Sequence, residues 1–151
     1  MNQPVLARES QVLSHAEEMT QILAALTQLK RGDATARLPL HAAGVFGKVA
    51  EVFNQLVEQN AAMADELSRL SQVGGTEGKL KKRASLPDAR GFWADSVEHV
   101  NSLIDDLVHP TSEVARVIGA VAQGDLSKSM ALELDGRPLE GEFLKTAKTI
   151  N

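Results

Sequence analysis

The feature that most constrains this chain is an internal repeat: Gly32, Gly78 and Gly124 stand 46 residues apart. Each is followed six and eight residues later by mostly apolar side chains: Leu38 and Leu40, Ala84 and Leu86, Met130 and Leu132. A second glycine, Gly44, Gly91 or Gly141, lies ten residues before Asn54, Asn101 or Asn151, and Phe46, Trp93 or Phe143 lies eight before the same asparagine. A supersecondary unit repeated at this period cannot bury its apolar face alone, so the chain is expected to fold as a stacked array.

Between the glycines the apolar residues recur in alternating steps of three and four, the period of a packed helix. From Phe46 the seam runs through Val49, Phe53, Leu56, Asn60, Met63, Leu67 and Leu70, with no proline or glycine in residues 48 to 73. The second helix of the first unit and the first helix of the second are therefore expected to be one helix. Another seam, Trp93, Val97, Val100, Ile104, Leu107, Thr111, Val114, Ile118 and Val121, keeps its phase through Pro110. A proline there removes a backbone donor, so a kink or a fresh helix start is expected. The first helix carries Val12, His15, Met19, Ile22, Leu26 and Leu29 in the same alternation, with frayed turns expected around residues 3 to 10.

The segments joining the two helices of each unit, 32–44, about 78–91 and 124–141, are long for an antiparallel hairpin. Parallel helices need such a length. A helix of about 16 residues rises roughly 24 Å, and about 13 extended residues reach roughly 40 Å, enough to run back and start a second helix in the same direction. The paired apolar residues would then dip between the helices, each buried leucine contributing roughly 1.5–3 kcal/mol. Two helices with seams this wide, flanked by Val45, Val52 and Val57, do not close a core alone. A parallel homodimer closes it, giving four-helix bundles. Asn60 in the seam fits an in-register pair, or else marks a local gap between units.

The order of amphipathic helix, Gly-Asp, two spaced apolar connector residues and a Gly-Glu-Phe-Leu helix start resembles the HAMP domain, the parallel four-helix signal relay of bacterial receptors and sensor kinases. In the third unit Pro110 stands near the usual proline of the first helix, Gly124-Asp125-Leu126 resembles the glycine-led connector start, Met130 and Leu132 the two anchors, and Glu142 the glutamate that opens the second helix. The first unit matches at Gly32-Asp33, Leu38, Leu40 and Phe53-Asn54, with Val45 in place of the glutamate. The second, with Val73 to Leu80 and Gly91-Phe92-Trp93, is similar to the divergent type found in tandem arrays of hybrid histidine kinases, and Phe92 replaces the glutamate. Its first helix runs into Gly74-Gly75 and is expected to end early or to be loosely held.

The resemblance implies an all-α fold of parallel homodimeric bundles stacked end to end, with units at 12–59, 60–107 and 108–151, the last truncated in its second helix. It also implies a longer protein whose downstream output is a histidine kinase or a chemoreceptor-type domain in the same chain. The expected connector residues are Gly32, Leu38, Leu40, Gly78, Leu86, Gly124, Met130 and Leu132. The expected bundle residues are Phe46, Phe53, Leu56, Asn60, Met63, Leu67, Trp93, Val100, Ile104, Leu107, Pro110, Val114, Glu142 and Phe143.

Composition narrows the chemistry. The chain has no cysteine, so neither a disulfide framework nor a thiolate metal site is available. A net charge of -4 argues against a general nucleic-acid binder, and the run Lys79, Lys81, Lys82 and Arg83 lacks interleaved aromatics and reads as a solvated loop. No run approaches the ~18–20 apolar residues of a membrane span, and the start Met-Asn-Gln-Pro lacks a signal peptide's basic and apolar regions, so a cytoplasmic setting is expected. His15, His41, His99 and His109 show no metal-ligand spacing, and no nucleophile, base and orienting group can be assembled. Neither catalysis nor a cofactor is expected. The function expected is a relay that passes conformational change along a dimeric helical rod; the alternatives are a passive dimerisation spacer and a direct sensor of a small ligand or osmolarity.

Overall fold

In the computed structural model, which describes residues 3–76, 81–134 and 136–151, the chain is mostly helical. Helix α1 spans Gln3–Lys30, α2 Gly44–Ser71, α3 Phe92–Ala122 and α4 Gly141–Ile150. A π-helical turn, Gln72–Thr76, follows α2, and two short strands, β1 (Glu133–Leu134) and β2 (Arg137–Pro138), pair antiparallel before α4. The chain divides into two compact units, Met1–Asp65 and Glu66–Asn151.

Helix α2 is unbroken across the stretch where the seam shows no breaker, and α3 continues through Pro110 rather than restarting there. Proline costs α3 the hydrogen bond to the Asp106 carbonyl, and Pro110 is buried, so apolar contact offsets part of that loss. Fraying is not what residues 3 to 10 show, since α1 is helical from Gln3. The loose end expected near Gly74 takes the form of the π-helical turn. Helix ends follow the glycines. Gly32 and Gly124 have φ of +85° and +84°, the left-handed conformation that suits a residue without Cβ. At each, two amides fold back on the last turn: Gly32 N–H to Leu29 O and Asp33 N–H to Gln28 O, Gly124 N–H to Val121 O and Asp125 N–H to Ala120 O.

In the first unit the core is Ala25 of α1, Ala36 and Leu38 of the connector, and Ala50, Phe53 and Val57 of α2, with Ile22, Leu29 and Phe46 packed against it. In the second unit Val117 of α3, Met130 and Leu139 of the connector, and Ala147 of α4 form the equivalent cluster, joined by Val114, Phe143, Leu144 and Ile150. Each core thus places connector side chains between two helices: Ala36 and Leu38 in the first, Met130 and Leu139 in the second. The strand pair is an addition to the all-α expectation. It lies in the third connector, where Gly136 has φ of +74° and Leu139 N–H donates to Leu132 O at 2.8 Å.

Candidate functional site

The repeated element of the structure is a clamp between each connector and the helix that follows it. Asn54 Nδ2 donates to the Leu38 carbonyl at 2.9 Å while the Leu38 N–H donates to Asn54 Oδ1 at 2.9 Å. Asn101 does the same to Ala84, at 3.0 and 2.7 Å. Asn151 does the same to Met130, at 3.0 and 2.6 Å. A carboxamide carries one donor and one acceptor side by side, so it satisfies both polar groups of one extended residue, as a neighbouring strand would. The clamped residue buries its side chain each time: Leu38, Ala84 and Met130 are all under a tenth exposed.

A second recurrent feature locks the connector's first turn. Asp33 Oδ1 accepts from the Thr35 N–H at 2.8 Å and its hydroxyl at 2.6 Å; Asp125 Oδ1 accepts from Ser127 N–H and Oγ at 3.0 and 2.5 Å. These bonds hold both carboxyls below the usual aspartate range. The second helix of each unit starts at Gly44, Gly91 or Gly141, all with positive φ.

A third feature braces the preceding helix to the connector. Arg69 pairs with Glu66 at 2.7 Å and donates to the Arg83 carbonyl at 3.0 Å; Arg116 pairs with Glu113 at 2.8 Å and donates to the Ser129 carbonyl at 3.0 Å. Glu66 also accepts from the Ser85 N–H at 2.7 Å. The Arg69 hydrogen bond, aided by Ser85, draws the Glu66 carboxyl down to about 2, and Arg116 lowers Glu113 in the same way. Arg83 itself is bonded to Asp105 of α3. In the first connector the corresponding cation, Arg37, bonds the nearby carbonyls of Ala34 and Ala36 instead.

The expected site residues fall into three groups. Leu38, Met130, Phe53 and Pro110 are buried, and Leu86, Phe46, Met63, Trp93, Val100, Ile104, Val114 and Phe143 are half-buried. Leu40, Leu56, Leu67, Leu107 and Leu132 are exposed, Leu40 by 74%, so in the first connector Ala36 and Leu38 reach the core and Leu40 does not. Asn60 is exposed, with Nδ2 bonded to the Leu56 carbonyl at 2.8 Å, and Glu142 lies in the first turn of α4 paired with Lys145. Gly32 and Gly124 close their helices as described; Gly78 lies outside the described residues, as does Lys79 of the basic run. The seams are only partly covered. Val12 and Met19 of α1 face solvent, exposed Leu26 lies between half-buried Ile22 and Leu29, and Val49 and Leu56 of α2 flank buried Phe53.

The three asparagines recur in the sequence, but the sequence does not show what they bond. Their constant position, ten residues after a glycine and eight after an aromatic, was the available signal. The same holds for the brace. Its sequence trace is Glu-x-x-Arg at 66–69 and 113–116.

Among the described residues no group of three or more His, Asp or Glu side chains could hold a metal, and every buried side-chain nitrogen and oxygen has a hydrogen-bond partner. No helix among them is long and apolar enough to cross a membrane. A cleft of about 530 Å³ in the second unit is lined by Asp105, Asp106, His109, Pro110, Arg137 and Phe143 among others, and Arg137 bridges it to Asp106 at 3.3 Å. The arrangement holds backbone against helix at set points.

Comparison with known proteins places part of the chain. Residues 71 in number align at 32% identity with the methyl-accepting chemotaxis protein McpB of Pseudomonas aeruginosa, covering 47% of this chain and 10% of that receptor. The chain therefore spans a small fraction of the relative it matches. No solved structure matches it. The sequence profile of the HAMP domain family matches residues 88–151, the stretch that carries α3, the clamped third connector and α4.

Proposed function

We propose that the chain is a tandem HAMP array that relays conformational change along a parallel homodimer to an output domain downstream, a histidine kinase or a chemoreceptor-type signalling domain. The observation that carries this reading is the triple recurrence of the asparagine clamp, at Leu38, Ala84 and Met130, of which the family match includes only the last. The same local solution at the same repeat position supports extending the HAMP reading to 12–59 and 60–107. Helix α2 carries Asn54 of the first clamp and Arg69, which reaches the second connector, and α3 carries Asn101 of the second clamp and Arg116, which reaches the third, so a rotation or tilt imposed at one clamp is passed toward the next. The half-covered seams support the second copy: covering each exposed Leu or Val would contribute about 1–2 kcal/mol.

The test compares additivity in the output of the full-length protein. Leu38→Ala and Met130→Ala lie on different connectors, so in a passive spacer their effects on output would add. A relay couples them, and the double variant departs from the sum. Strict additivity together with a chain that sediments at the monomer mass of 16.2 kDa would remove the proposal.

A further inference from the structure

The helix before the second connector holds one more residue than the helix before the third. Arg69 and the carbonyl it reaches, Arg83, are 14 residues apart, whereas Arg116 and its carbonyl, Ser129, are 13 apart. Both arginines are fixed by a glutamate three residues earlier, and both connectors are fixed one residue later by the asparagine clamp. The two ends are therefore equivalent and the extra residue lies between them. In sequence Gly78 stands six before Ala84 as Gly124 stands six before Met130, which puts the excess on the helix side of Gly78. That is where the π-helical turn Gln72–Thr76 lies, while α3 is α-helical to Ala122. A π-turn, bonded i to i+5, is how a helix absorbs one added residue without shifting what comes before or after it.

We infer that Gln72–Thr76 stores one residue in excess of an α-helix and is the compliant joint of the second unit, where rotation of α2 is partly taken up before it reaches the connector. The excess keeps Leu67 and Leu70 aimed at Val100, Ile104 and Leu107, with which they line a cavity of about 260 Å³, while Arg69 still reaches the connector. Rotating α2 by one position would instead put Ser68, or Glu66 and Arg69, where the two leucines line that cavity. Distortion confined to the turn is cheaper than that exchange, which is why the turn and not the seam gives way. The compliant role rests on the relay reading; the stored residue does not.

The experiment uses the 151-residue chain with Gly74 deleted, against a control with Gly119 deleted from the matching turn of α3, which has no residue to spare. Deleting Gly74 converts the spacing of 14 to the 13 found in α3. Its melting temperature should stay within about 2 °C of the parent or rise, and amides of residues 72–76 should exchange about tenfold more slowly than in the parent. Deleting Gly119 should lower the melting temperature by more than about 5 °C. If deletion of Gly74 destabilises as much as deletion of Gly119, or if the parent turn already exchanges as slowly as residues 118–122 of α3, the inference is wrong. Neither readout needs a partner domain or a signal, so failure here is distinguishable from failure of the relay.

Discussion

Replacing Asn54 with alanine isolates the clamp. Asn54 is 5% exposed and the residue it holds, Leu38, 3% exposed, so water does not replace the lost amide. Two bonds of 2.9 Å disappear and leave a buried N–H and a buried C=O without partners. With about 1–2 kcal/mol for each stranded group, the loss is about 2–4 kcal/mol. Asn101→Ala removes the same two bonds at a half-buried site, where water can re-pair the Ala84 groups, and should cost about 1–2 kcal/mol. Asn60→Ala removes one exposed bond to its own helix and should change stability by less than about 0.5 kcal/mol. Guanidinium unfolding followed by circular dichroism ranks the three. Asn54→Asp adds a sign: one oxygen still accepts from the Leu38 N–H, but the other meets the Leu38 carbonyl oxygen. The protonated acid is then favoured in the folded state and its pKa rises, so stability is full below the ordinary carboxyl value of about 4 and is lost as pH climbs through the raised one. Should Asn54→Ala cost no more than Asn60→Ala, the clamp is not what holds the connector.

Three further outcomes follow from single sites. Glu66, held at about 2 against an ordinary 4.5, contributes stability that is present above pH 4.5 and is lost as pH falls toward 2; with Arg69 43% exposed, the amount is about 1–2 kcal/mol, and Glu66→Gln should flatten that part of an acid titration of the melting temperature. A Cβ at Gly47 would lie 2.1 Å from the Ala42 carbonyl oxygen, whereas one at Gly119 meets open space inside α3, so Gly47→Ala should destabilise by more than about 2 kcal/mol and Gly119→Ala should stabilise by about 0.5–1 kcal/mol in calorimetry. Met130→Ala empties a position that is 2% exposed and should cost about 2–5 kcal/mol by chemical denaturation, while Leu132→Ala, on a side chain 46% exposed, should cost less than half of that in the single chain.

Much of this architecture was legible in the residues because periodicity and glycine carry it. The unbroken seam from Phe46 to Leu70 fixed α2 as one helix, and Gly32 and Gly124 marked helix ends because their left-handed backbone admits little else. What was not legible depends on contacts distant in sequence. Leu38 is held inward by the amide bonds of Asn54, 16 residues away, which no local pattern announces. Alternation along an extended segment says that residues two apart share a face, and Ala36 with Leu38 satisfies that as well as Leu38 with Leu40 does. Pro110 shows the opposite case: local chemistry favours a break, yet α3 runs on through it and the residue is buried.

The most direct test of the paired seams is single-cysteine cross-linking, which the cysteine-free sequence permits without other changes. Leu56→Cys lies on the exposed seam of α2 and Glu58→Cys lies off it. In a parallel, in-register homodimer Leu56→Cys oxidises to a covalent dimer in high yield while Glu58→Cys stays largely monomeric. Equal yields at the two positions, or none at Leu56→Cys, would contradict the pairing of two chains along this seam.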